Sequence, residues 1–144
     1  MQALANAVDT TAAAYLQGAR SARPAAGVAG RLYYSTDQHQ TSYDNGTQWR
    51  TIGPYAAGGV NPDGTVWLPG TANWTPAHVT AGYYTITFTV PTNSATPIAL
   101  ANATISPYFV FAWDVQSNLV GIKIWNPAGN AQVDCGFVFT VWDL

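Results

Sequence analysis

Alternation of apolar and polar residues predicts a chain that is mainly β-strand. In residues 83–90, Tyr84, Ile86, Phe88 and Val90 fall on one face and threonines on the other, as in a half-buried strand. Further strands are predicted at 65–68, 98–105, 108–115, 119–125 and 134–142. Turn residues separate them at intervals of roughly ten residues, which indicates an antiparallel β-sandwich in the C-terminal part of the chain.

Two of these predicted strands are apolar on both faces. Residues 108–115 carry Phe109, Phe111 and Trp113 on one side, and the other side is also apolar. Residues 134–142 behave likewise. A half-exposed antiparallel sheet has a polar outer face, and each aromatic side chain can bury about 150–250 Å². We therefore expect the second face of these strands to pack on another subunit.

Three shorter β-prone segments precede the predicted sandwich, at 31–36, 40–43 and 48–52. Asn45-Gly46 predicts a type I′ hairpin between the last two, because both positions tolerate positive φ. Such a three-stranded meander is too small to be stable alone. Proline and glycine mark linkers on both sides of it, at 20–30 and at 53–65.

The first residues follow a helical period instead. Residues 2–17 are rich in alanine and lack glycine and proline, and Gly18 is a natural stop. The predicted oligomerisation residues recur at spacings of three and four, as in an a/d seam of about two heptads. They are Leu4, Val8, Thr11 and Tyr15. A helix this short needs a platform, either a coiled coil or another protein; the alternative is a single helix packed on its own β domain.

The predicted fold class is therefore all-β with a short N-terminal α-helix, which can form a trimeric coiled coil. Residues 1–19 are a helical attachment and oligomerisation segment, 20–53 a linker and small meander, and 54–144 a distal antiparallel β-sandwich. The doubly apolar strands and the heptad seam together favour a parallel homo-oligomer.

Composition excludes several functional classes. Only 8% of residues are charged and the net charge is −2, so the electrostatic attraction that drives non-specific nucleic-acid binding is absent. The single Cys135 permits no internal disulfide. No apolar run is long enough for a membrane span, and the start of the chain lacks a signal-peptide pattern. We expect neither nucleic-acid binding nor membrane insertion, and synthesis in a cytoplasm without a cleaved leader.

Catalytic chemistry is also scarce. There is no Glu, and two His and seven Asp are spread thinly, where acid–base catalysis would need such groups gathered in a pocket. Paired His or Cys ligands, an Asp-rich calcium loop, a P-loop, a dinucleotide fingerprint and a Gly-x-Ser-x-Gly elbow are all missing from the sequence. We expect a protein that is not an enzyme and has no metal and no cofactor.

Aromatic residues are the remaining candidates for binding. The chain has six Trp and eight Tyr, and flat rings stack on the C–H faces of sugars while amides and carboxylates bind the hydroxyls. The predicted ligand-binding residues lie in or beside loops. They are Trp67, Trp74 and Trp125, with Asp114, Asn118 and Asn126 as hydrogen-bonding partners. Alternatively, these tryptophans are strand-end core residues or subunit-interface anchors.

Residues 23–49 contain a series of short motifs: Arg23-Pro24, Gly30-Arg31-Leu32-Tyr33, Ser35-Thr36-Asp37, Asp44-Asn45-Gly46 and Trp49. Together they resemble a module of surface proteins from tailed bacteriophages, of the tail fibre, spike or head fibre type. In that family the module joins a helical attachment segment to a β-rich distal domain.

This resemblance implies a virion protein that is assembled in the cytoplasm of a host bacterium. It also implies a homotrimer that attaches to another virion protein through residues 1–20 and displays its distal domain to a host-surface glycan. Two alternatives stay open. One is a purely structural capsid or tail decoration protein without a receptor, and the other is a non-viral carbohydrate-binding module.

Overall fold

The computed structural model describes residues 15–143, which divide into two compact units between Gly53 and Pro54. The seam residues Leu4, Val8 and Thr11, and most of the predicted helix, lie outside this range. The part that is described differs from the prediction, because Tyr15–Gly18 forms a β-strand, β1. It pairs in parallel with Leu32–Ser35, so hydrogen bonds to the sheet replace those of a last helical turn.

The first unit contains one four-stranded sheet in the order β1-β2-β3-β4. Strand β2 is Leu32–Ser35, β3 is Gln40–Asp44 and β4 is Trp49–Ile52. The three predicted meander strands are therefore confirmed, and β1 extends the sheet. The segment between β1 and β2 begins with a short 3-10 helix, Arg20–Ala22. It is not a free linker, because its Arg20 and Arg23 side chains donate hydrogen bonds to Gln38 and Ser42.

The turn between β3 and β4 is longer than predicted. Four residues, 45–48, connect the strands, and among them only Gly46 has a positive φ, of 94°. The Oδ1 atom of Asn45 accepts hydrogen bonds from the backbone N–H groups of Thr47 and Gln48. The predicted two-residue type I′ hairpin is wrong because the Asn45 side chain supports a wider loop.

The second unit is a sandwich of two four-stranded sheets, which confirms the all-β sandwich predicted for this region. Its strands are β5 (Ala56–Val60), β6 (Val66–Leu68), β7 (Trp74–Thr80), β8 (Tyr83–Phe88), β9 (Ile98–Ala103), β10 (Phe109–Trp113), β11 (Leu119–Trp125) and β12 (Phe137–Trp142). One sheet, the β5/β12 sheet, has the order β6-β5-β12-β9, and the other, the β8/β11 sheet, has the order β10-β11-β8-β7.

The core lies between the two sheets and is built from the alternating positions of the central strands. Strand β8 contributes Tyr84, Ile86 and Phe88, as its alternation predicted. The facing strands contribute Val120, Ile122, Ile124, Phe137, Phe139 and Val141. Since these side chains point inward, their sequence neighbours must point to the outside of the sandwich.

Two strands occupy positions that the sequence indicated as linker or loop. Strand β5 lies within the predicted linker 53–65, and its Ala56 and Val60 are fully buried. Strand β7 contains Pro76 but lies at the edge of its sheet, where a missing N–H interrupts no ladder on the solvent side. Glycine therefore occurs inside the central strand β5, on which tryptophan packs, and proline occurs inside the edge strand β7.

Candidate functional site

The outer face of the β5/β12 sheet is apolar at both edges. On β9, Ala99 and Ala101 pack against the core, so Ile98 and Leu100 point outward and are 47% and 61% exposed. Beside them, Trp142 on β12 is also exposed. A shallow depression of about 160 Å³ lies between β9 and β12. None of the four strands contains a charged residue.

Trp67 covers the opposite edge of this sheet. A Cβ atom at Gly59 would lie 2.6 Å from Cε2 of Trp67, so the indole packs directly on the glycine backbone. The ring is still 47% exposed. We call the surface formed by Trp67, Ile98, Leu100, Val138 and Trp142 the apolar face.

The outer face of the β8/β11 sheet has a different character. The aromatic side chains of β10 lie on this side, and Phe109, Phe111 and Trp113 are each about half exposed. Strand pairing places Phe111 beside Lys123 and Lys123 beside Tyr83, while Trp113 lies opposite Gly121. The prediction that β10 is apolar on both faces is confirmed, and its larger aromatics are the outward ones.

Lys123 lies between two of these rings. Its Nζ atom is 4.0 Å from the centroid of the Trp113 ring and 5.7 Å from that of Tyr83, both within the range of cation–π attraction. Gly121 allows this arrangement, since a Cβ atom there would lie 2.8 Å from the Trp113 carbonyl oxygen and 3.3 Å from the Tyr83 ring. We call Tyr83, Trp113, Gly121 and Lys123 the aromatic–lysine patch.

The sequence did not single out this patch. Alternation within 108–115 put Trp113 on one of two apolar faces, but it did not show which of the two faces is the outer one. The missing element was the pairing of β8 with β11, which brings Tyr83 from a distant part of the chain to the other side of Lys123.

Trp74, one of the predicted ligand-binding residues, is a core residue. It is only 9% exposed, and its Nε1–H donates to the carbonyl oxygens of Ala57 and Pro69. Its ring meets that of Phe139 edge to face, with centroids 4.8 Å apart. Little of the ring is exposed for a sugar, which argues against the predicted ligand contact of Trp74.

The other predicted ligand-binding residues do not form one site. Trp67 belongs to the apolar face, whereas Trp125 is on the outer side of the β8/β11 sheet, opposite Phe109. Asp114 and Asn118 flank the turn at the far end of the same hairpin, where Asp114 accepts a hydrogen bond from Gln116. Asp114 and Asn118 therefore lie at the two ends of one turn, Trp125 and Asn126 lie at the other end of β11, and Trp67 lies on the other sheet.

Asn126 has a structural role in its own turn. Its side-chain amide donates to Oδ1 of Asn130 and its Oδ1 accepts from the Asn130 backbone N–H. Both bonds close the 126–131 loop. The hydrogen-bonding capacity predicted for a ligand is thus used within the chain.

Asp134 joins three parts of the second unit. Its Oδ1 atom accepts from the Gly82 N–H at 2.7 Å, lies 2.8 Å from Nε2 of His78 and accepts from the Tyr84 hydroxyl. The Gly82 hydrogen bond and the His78 contact keep the pKa of Asp134 below its usual value. Burial and the Asp134 charge raise the pKa of Tyr84. The hydroxyl also donates to the Pro62 carbonyl, so this cluster fastens loops to the sandwich.

The module in the first unit centres on Asp44. This carboxylate is fully buried, accepts hydrogen bonds from the backbone of Gly27, Val28 and Gly46, and lies 2.6 Å from the Arg31 guanidinium. Burial by itself raises the pKa of Asp44, but the hydrogen bonds from Arg31 and the backbone outweigh it and lower the pKa to about 2.

Trp49 is the second centre of the module. The guanidinium carbons of Arg23 and Arg31 lie 5.3 and 5.4 Å from its ring centroid, and its Nε1–H donates to the Pro24 carbonyl at 2.8 Å. Arg31, Asp44 and Trp49 thus hold the 23–31 segment on the sheet.

No family model, no curated protein and no solved structure matches this chain. In residues 15–143 no group of three or more His, Cys, Asp or Glu side chains is placed to hold a metal ion. No helix in the same range is long and apolar enough to cross a membrane. The apolar face and the aromatic–lysine patch are the two surface features of the second unit that a partner or ligand could bind.

Proposed function

We propose that this chain is a bacteriophage virion structural protein. It forms a short homotrimeric fibre or spike on the tail or head, and its sandwich unit displays a host-surface glycan-binding face. The observation that carries the proposal is the apolar face, which exposes Ile98, Leu100, Trp67 and Trp142 on strands without charge. Large exposed apolar surfaces of this kind mark contacts with other proteins.

A second copy of the chain is the partner that best suits the apolar face. Strands without charges need an apolar surface opposite them, and three copies around an axis supply it to each other. Fully burying an exposed Leu or Ile side chain stabilises by about 1.5–3 kcal/mol. Since Leu100 is 61% exposed, covering it adds about 1–2 kcal/mol per subunit, and Ile98, Trp67 and Trp142 add similar amounts.

The resemblance of residues 23–49 supports the virion part of the proposal. In the proteins it resembles, the module lies between an attachment segment and a distal β domain. By that order, residues 1–20 bind another virion protein and the sandwich faces the host.

Light scattering on the purified full-length chain tests the assembly. We expect a mass of three times 15.3 kDa, and dissociation to monomers on Leu100→Asp, which places a charge in the apolar face. Val79→Asp is the matched control, because Val79 is 49% exposed on an edge strand of the other sheet and should leave the trimer intact. A monomeric wild-type chain would contradict the proposal.

A purely structural decoration protein is the second candidate. It is favoured by the inward use of Trp74 and of the module residues, which leaves fewer groups for a receptor. A trimer that binds no glycan would support it. A monomer that binds glycan would instead support a non-viral carbohydrate-binding module.

A further inference from the structure

We propose that the aromatic–lysine patch binds a sugar residue that carries a carboxylate. The inference rests on the glycan-binding role proposed above and specifies its ligand as an acidic glycan. The sugar ring stacks on Trp113 and Tyr83, and its carboxylate pairs with the ammonium group of Lys123.

The first argument is the position of positive charge. Lys123 is the only Lys or Arg in residues 54–144, and among the described residues it makes no ion pair. The aspartates of this unit are engaged elsewhere: Asp63 with Thr65, Asp114 with Gln116, Asp134 with His78 and Gly82, and Asp143 with Asn93 and Ser94. Strand alternation in β11 points this cation to the outer face, where it contacts the rings of Trp113 and Tyr83.

The relative position of the Trp113 ring and the Lys123 ammonium group also supports an acidic sugar as the ligand. Trp113 is 56% exposed, so one of its faces can cover the apolar side of a sugar while the ring still contacts Lys123. Because Nζ lies over the ring, 4.0 Å from its centroid, the sugar stacks on the part of the indole that Lys123 leaves free. A pyranose carboxylate is attached directly to the sugar ring and reaches the ammonium group past the edge of the indole. A charge-assisted hydrogen bond of this kind is among the stronger polar contacts.

The third argument is the contrast between the two sheets. The apolar face has no cation and no acid, which suits a protein partner. Gly121 pairs with Trp113 on one side and with Thr85 on the other, so the three residues form one row across the sheet. The Thr85 hydroxyl lies on the same outer side as Trp113 and can bind sugar hydroxyls. Aromatic rings combined with a few polar groups are typical of small-ligand sites.

Isothermal titration of the full-length protein at low ionic strength tests the proposal. The probes are tetragalacturonate and sialyllactose, each compared with a neutral counterpart, the methyl ester of tetragalacturonate and lactose. We expect the acidic probes to bind at least about tenfold more tightly than the neutral ones, because a hydrogen bond to a charged group adds that much.

Lys123→Gln should remove this preference, so that acidic and neutral probes bind with similar affinity. Arg50→Gln is the matched control, since it makes the same change of charge in the other unit, and it should alter affinity less than about twofold. Trp113→Ala should weaken both classes of probe. Because Lys123 and Trp113 lie at the surface, the melting temperature of each variant should stay near that of wild type.

Equal affinity for acidic and neutral probes would overturn the inference and leave the proposed glycan role intact. Preference for acid that survives Lys123→Gln would also overturn it. If no probe binds but the protein is a trimer, both the inference and the glycan role fail, and the structural virion role remains.

Discussion

Two adjacent glycines of β5 each lie under a tryptophan, on opposite sides of the same sheet. A Cβ atom at Gly58 would lie 2.0 Å from Cζ2 of Trp74, inside the sandwich, and one at Gly59 would lie 2.6 Å from Cε2 of Trp67, outside it. The two substitutions Gly58→Ala and Gly59→Ala therefore add the same atom to the same strand against a buried and an exposed ring.

The expected costs differ because only one of the rings can move. Overpacking a core costs about 1–3 kcal/mol, and displacing Trp74 also weakens its two hydrogen bonds, at about 0.5–1.5 kcal/mol each. Gly58→Ala should thus destabilise by about 2–6 kcal/mol. The ring of Trp67 can turn towards solvent, and alanine is better than glycine in a strand by about 0.5–1 kcal/mol, so Gly59→Ala should change stability by less than about 1 kcal/mol.

Thermal unfolding followed by near-ultraviolet circular dichroism measures the difference. One kcal/mol corresponds to roughly 4–8 °C in a domain of this size, so we expect a fall of at least about 8 °C for Gly58→Ala and a much smaller change for Gly59→Ala. Protein concentration is kept equal, because an oligomer melts at a concentration-dependent temperature. Equal losses for the two variants would refute the assignment of Trp74 as a fixed core residue.

Two further predictions concern the first unit. Because the pKa of Asp44 is lowered from 3.8 to about 2, its stabilisation is present at neutral pH and is lost as the pH falls through this interval. Asp44→Asn should reduce stability at pH 7 and remove that acid dependence, measured by urea unfolding at several pH values. Asp37→Asn is the control and should cost little, since the amide oxygen can still accept the hydrogen bond from the Arg20 backbone N–H. Tyr33→Phe removes the hydroxyl that donates to the Ala19 carbonyl at 2.7 Å and should lower the free energy of unfolding in urea by about 0.5–1.5 kcal/mol. Tyr43→Phe, at an exposed position, is the control and should cost little. Equal effects of the two substitutions would show that the Tyr33 hydroxyl is not stabilising.

The central strands of the sandwich could be predicted because the core on one side of each strand imposes an alternation of buried apolar residues with outward-facing ones. Residues 119–125 form β11 with the predicted bounds, and β8 buries its predicted face. Strands β5 and β7 could not be predicted, since local propensity opposes a strand at Gly58-Gly59 and at Pro76. Contacts distant in sequence, such as the Trp74 ring over Gly58, override that propensity.

The binding surfaces were less accessible to sequence reasoning. The exposure of aromatic side chains on β10 could be predicted, because the strand is apolar on both faces and the sandwich has only one core to cover them. Which of the tryptophans are exposed could not be predicted, because the sequence around Trp74 indicated a loop, whereas Trp74 lies in β7 and is buried. Pairing of β8 with β11 decides which side chains surround Lys123, and pairing depends on the whole sheet rather than on any local pattern.

The scarcity of cations has a consequence for proteolysis. Trypsin cleaves after Lys and Arg, and residues 54–144 contain a single such bond, between Lys123 and Ile124. It lies within β11, which is paired with β10 on one side and β8 on the other, and Ile124 is fully buried. A protease can bind this bond only when the strand leaves the sheet. The rate of cleavage after Lys123 thus reports how often the native sandwich opens, without any denaturant or label.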